Sequence, residues 1–153
     1  MDHAFVSIQD NLFQKMRQIW TQHGHVHPMA FLLTGGDLRI LALPGDKAEQ
    51  QAELALHQQL HKPDAVVFHA EAWVVFGDAA AEAAAARQAG LSSLEAFPGR
   101  KEAVVSTLQV GEQTRCLIAE VRPNRTLGPT TELTEALIAP FDEDEVLPTV
   151  GEA

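Results

Sequence analysis

Histidine spacing and one carboxylate inside an apolar run are what this sequence offers to chemistry. His23, His25 and His27 alternate, so an extended segment would project all three imidazoles to one side. His57 and His61 are four apart, which places them on one face of a helix. Imidazole suits zinc, nickel or copper, and three to five ligands converge if these two segments meet. A plainer reading needs no metal. His61 near a helix C-terminus complements the helix dipole, and histidines in a glycine-containing linker are commonly solvated. The expectation is no cofactor, with zinc or another divalent transition metal as the alternative.

The carboxylate is Glu71, in the run AVVFHAEAWVVF that begins at Ala65. Such a group must be paired, solvated by a pocket, or protonated. Strand alternation puts Ala65, Val67, His69, Glu71, Trp73 and Val75 on one face and Val66, Phe68, Ala70, Ala72, Val74 and Phe76 on the other. Arg100, Arg115 and Arg122 are the plausible counter-charges, with Glu102 and Glu120 able to join them. One reading is a Trp-lined ligand groove on an open sheet face, formed by His69, Glu71, Trp73, Arg100 and Glu102. The other is a buried Glu–Arg pair that fixes strand register, with Trp73 as packing. An indole beside a polar pair keeps the groove in play, because it offers both a stacking face and an N–H donor.

Enzyme motifs fare poorly. His25-Val26-His27-Pro28 with Thr34 and Asp37 resembles the metal motif of JAMM-type metalloproteases, but the first glutamate of the chain is Glu49. The upstream general base is therefore missing, and bound water has nothing to activate it. His69-Ala70-Glu71 resembles the His-x-Glu of zinc nucleoside deaminases, yet a chain with one cysteine lacks the Pro-Cys-x-x-Cys that completes that site. Cys116, on an apolar strand, reads as a small core residue. No P-loop, dinucleotide fingerprint or nucleophile elbow is present.

Glu71-Ala72-Trp73 is followed by a variable stretch and then by Pro98, Arg100 and Glu102, a Pro-x-Arg-x-Glu pattern opening a hairpin. In this middle third the chain resembles a loosely defined group of small bacterial and phage-associated proteins of uncharacterised function. The resemblance implies that Glu71, Trp73, Arg100 and Glu102 lie together. It implies no reaction.

The elements that must position these residues follow from periodicity. Phe5, Ile8, Leu12, Met16, Ile19 and Trp20 recur every three or four residues and predict a first helix, with Ser7 and Asp10 as a capping box and Gly24 as its stop. Two β-rich runs around Gly35-Gly36-Asp37 predict a hairpin. Asp46 and Glu49 open a second helix through about Lys62, and Ala65–Phe76 is a strand. DAAAEAAAARQAG predicts an alanine-rich helix capped by Asp78 and closed by Gly90, a surface insertion. EAVVSTLQV and QTRCLIAEV flank Gly111-Glu112 as a second hairpin. The class is α+β: a mainly antiparallel sheet of about five strands, packed on one face by the N-terminal and second helices.

Length and charge bound the function. With 153 residues, 46% hydrophobic and 21% charged, the chain predicts a soluble single domain over 1–131. An acidic C-terminal tail, 132–153, follows, and Leu137, Ile138, Phe141, Val146 and Leu147 suggest that it partly packs back. The net charge is −10, and seven acids with no lysine or arginine lie from Glu132 onward, leaving 14 acids against 11 bases in the body. Such a surface releases no counterions from a phosphate backbone, so nucleic acid and anionic membrane are not expected partners. No apolar run reaches the length of a membrane span, the N-terminus lacks the pattern of a signal peptide, and one cysteine fits a reducing cytoplasm. The expectation is a cytoplasmic, non-enzymatic binding protein whose partner is another protein or itself, with the tail and first helix as the suspected surfaces. The alternative is a small metal-binding protein or hydrolase-like enzyme using the His cluster or the Glu71/Trp73 groove.

Overall fold

The run that carries Glu71 becomes the central strand of the molecule. In the structure, a computed structural model describing residues 1–75, 78–90, 99–133 and 137–140, the order is α1 (His3–His23), β1 (Met29–Thr34), β2 (Asp37–Ala42), α2 (Lys47–His61), β3 (Ala65–Val75), α3 (Asp78–Gln88), β4 (Lys101–Val110), β5 (Gln113–Glu120), β6 (Thr131–Leu133) and β7 (Leu137–Pro140). The class is α+β, as its periodicities predict. All strand pairings are antiparallel, in the order β2-β1-β3-β4-β5-β6. β3 is bound along one edge by β4, from Val66 to Val74. Its other edge is shared: β1 pairs Ala65–His69 and β7 pairs Ala72–Val75.

Turn chemistry sets the two hairpins. Gly35 and Gly111 each take the first central position of a two-residue turn with φ +59, where a side chain would be strained. That is the pattern of a type II′ turn, whose twist matches the flanking strands. The helix ends are set by caps. Asp46 accepts the Glu49 N–H at 2.8 Å, as the capping pattern predicts. α1 departs from expectation: it begins at His3, with the Asp2 carboxylate accepting the Ala4 N–H at 2.8 Å. Ser7 and Asp10 fall inside it, because the apolar stripe already starts at Phe5 and an earlier cap was present.

Each face of β3 is apolar, so each needs cover. On one face α1 buries Phe13, Met16 and Trp20 against Val26, Val104, Leu117, Ala119 and Val121. Its N-terminal half packs Phe5, Val6, Ile8 and Leu12 on Phe31, Leu33, Ala65, Val67 and Leu108. Each large side chain so buried contributes about 1.5–3 kcal/mol. The opposite face carries Ala30, Leu32, Leu43 and Val66, covered by Leu54 of α2. The helices therefore lie on both faces, not on one as expected. α2 fully buries none of its residues.

Two more strands join the expected five. β6 pairs Thr131–Leu133 with β5, and β7 adds the start of the acidic segment to β3. Phe76, Pro98, Phe141, Val146 and Leu147 lie outside the described residues. Among the described residues no helix is long and apolar enough to cross a membrane.

Candidate functional site

Ala70 and Glu71 stand between the residues of β3 that pair with β1 and those that pair with β7, and among the described residues no strand pairs with them on that edge. The linker from α1 to β1 reaches the side chain of Glu71. The Val26 N–H donates to Glu71 Oε1 at 2.8 Å, and the Val26 side chain is buried in the α1 cluster. Burial pushes the Glu71 carboxyl above its usual range and neighbouring Glu102 adds to this, while the Val26 N–H, His25 and Arg125 oppose it.

The counter-charge is Arg125, which sequence reasoning missed. It sits in a turn with φ +62, and its guanidinium donates to both Glu102 oxygens, at 3.1 and 2.8 Å, and to the Gly24 carbonyl at 3.2 Å. It also stacks over the Trp20 ring at 5.1 Å. One side chain thus ties β4, the end of α1 and the loop after β5 together. Nothing in the local sequence marks Arg125, because its reach depends on the left-handed turn.

Four sequence-predicted residues come together on this corner. Trp73 and Glu102 are direct cross-strand partners, Glu71 lies two residues from Trp73 on the same face, and Arg100 stacks over the Trp73 ring at 4.9 Å. His69 does not join them. It is 2% exposed beneath α1, edge-on to Phe31 and Phe13 at 5.0 and 6.4 Å. Burial lowers its pKa to about 4, so it is neutral, and its Nε2 has no hydrogen-bond partner among the described residues. Arg115 is committed elsewhere, to Gln9 and Asp10, both at 2.9 Å, and to Glu132 at 3.4 Å.

The histidines divide between two places. His23 is the last residue of α1, not part of an extended run. His25 and His27 do share one side, with their Nε2 atoms 3.3 Å apart and their rings near-perpendicular. His57 and His61 stack on α2 with ring centroids 5.6 Å apart, and His57 Nε2 contacts Glu53 at 3.1 Å. α2 covers the sheet face opposite α1, so the two segments do not meet. Among the described residues no three of His, Cys, Asp or Glu form a metal-holding group, which corrects the expected convergence of three to five ligands.

The outer edge of the sheet carries a different feature. Leu43 donates its N–H to the Pro28 carbonyl at 3.1 Å, which continues the β1–β2 ladder one step and fixes its phase. In an antiparallel ladder bonded and non-bonded residues alternate, so the backbone groups of Leu38, Ile40 and Ala42 point away from β1. Leu38 and Ile40 are 47% and 56% exposed. Behind the edge lies a cleft of about 540 Å³ lined by Leu32, Thr34, Asp37, Leu38, Arg39, Ile40 and His61. α2 beside it exposes Leu56 and Leu60.

Neither a known protein family, nor a curated protein, nor a solved structure matches this chain.

Proposed function

We propose that this chain is a non-enzymatic binding protein whose working surface is the open edge of β2, and that the occupant of that edge is a second copy of the chain. The observation that carries this reading is a six-residue strand, Asp-Leu-Arg-Ile-Leu-Ala, with one backbone edge unpaired among the described residues and two large apolar side chains exposed. Such an edge templates pairing with another strand.

Charge discriminates between neighbouring registers. With Leu38 opposite the partner subunit's Leu38, Asp37 meets the partner subunit's Arg39, and the same contact repeats across the two-fold axis. Shifted by one pairing step, Arg39 would meet the partner subunit's Arg39, which like charges disfavour. The charges that would repel a wrong neighbour thus complement this one. What supports a non-enzymatic reading is the use of the polar corner: Glu71 holds Val26, and Glu102 holds Arg125.

Light scattering on the eluted protein tests the proposal. The expected mass is twice 16.6 kDa. Leu38→Lys, which puts two ammonium groups on the axis, returns it to the single-chain mass. Arg39→Asp weakens the dimer, and Asp37→Arg with Arg39→Asp restores it. A wild-type protein that stays at the single-chain mass at several hundred micromolar overturns the reading.

A further inference from the structure

His25 and His27 project from a segment that is fixed at its midpoint. Between them Val26 is 8% exposed, its side chain in the α1 cluster and its N–H on Glu71. Both histidines are exposed, so their imidazoles stand on a held backbone at the protein surface. Their Nε2 atoms are 3.3 Å apart. Zinc–nitrogen bonds of about 2.0–2.1 Å in a tetrahedron separate two ligand atoms by about 3.3–3.4 Å. The two nitrogens already stand at the span of one tetrahedral edge.

The two rings share a hydrogen bond that a metal ion must replace. His25 Nδ1 lies 3.4 Å from the His23 carbonyl, and a carbonyl oxygen can only accept. With the proton on His25 Nδ1 toward that carbonyl, the Nε2–Nε2 contact is a hydrogen bond donated by His27, and a metal ion binding there displaces that one proton. The Glu71 carboxyl is close enough to His25 for the two to interact electrostatically.

We infer that His25 and His27 form a two-histidine site for zinc or a similar divalent transition ion. The remaining coordination positions are open to water or to a donor atom of another molecule. The pair differs from His57 and His61, whose rings stack face to face at an interplanar angle of 18° and whose His57 Nε2 already contacts Glu53 at 3.1 Å. The inference does not rest on the β2 edge: the two histidines lie beyond the Pro28–Leu43 end of that hairpin, whereas Leu38 lies at its turn.

Calorimetric titration of zinc chloride into the tag-free full chain, in a non-chelating buffer, tests it. One equivalent of zinc is expected to bind. His25→Gln and His27→Gln should each weaken binding at least tenfold, as loss of a ligand must when even outer-shell changes cost 10–100-fold. His57→Gln with His61→Gln should leave the affinity within twofold, and so should His23→Gln. Circular dichroism melting of the two site variants should match wild type, because both residues are exposed. No binding at half-millimolar zinc, an unchanged affinity in His25→Gln or His27→Gln, or a larger loss in the control variants overturns the inference.

Discussion

Glu71 holds the linker between α1 and β1 at its midpoint, and the chemistry of that task decides what a substitution does. Its oxygen accepts the N–H of a buried residue, so Glu71→Ala orphans a backbone donor and is expected to cost about 1–3 kcal/mol. Glu71→Gln keeps an acceptor and removes a charge that burial disfavours. The folded carboxyl is shifted upward, so ionisation works against the fold, and stability falls as pH rises from the unfolded toward the folded value. At neutral pH Glu71→Gln should therefore melt no lower than wild type, and any advantage should vanish once the pH is low enough to protonate the wild-type carboxyl. Thermal melts of both variants at pH 3.5 and pH 7 check this. A Gln variant that melts well below wild type at neutral pH would show that the charge itself, through Arg125, is what stabilises.

The layer between α1 and the sheet contains a titratable group of opposite sense. His69 lies between Phe13 of α1 and Phe31 of β1 with a folded pKa of about 4 against 6.5. The unfolded chain therefore binds the proton first, and stability falls as pH drops from about 6.5 toward 4, by on the order of 3 kcal/mol in all. Urea unfolding across that range should show the slope, and His69→Leu should flatten it. α1 itself was legible, because one stripe of Phe5, Ile8, Leu12, Met16 and Trp20 leaves little choice of buried face. Its start was not, since two capping patterns compete and packing at Phe5 decides between them. Both hairpins were legible from their glycines. β6 and β7 were not, because three or four residues carry no alternation to read. Periodicity also says which face of an element is apolar but not on which side of the sheet the chain crosses, and α2 landed opposite α1. The pairing of Trp73 with Glu102 lay within reach of the sequence, whereas Arg125 enters only through a turn.

Across the whole molecule the layers differ in how firmly they are held. α1 buries four residues and α2 none, so the face covered by α2 is the more open of the two. Two chains of net charge −10 repel at long range, while backbone pairing along β2 acts at contact. Moderate salt should then favour the proposed dimer. At the other side of the sheet, Cys116 is fully buried between β4 and β6, in a cluster with Val105, Ile118 and Leu133. Burial pushes its thiol up to about 12, so the reactive thiolate is scarce at neutral pH even before access is considered. As the sole cysteine of the chain, it can meet a labelling reagent only when the sheet opens around it. The rate at which it is alkylated becomes a clock for sheet opening, readable by mass alone on an otherwise unmodified protein.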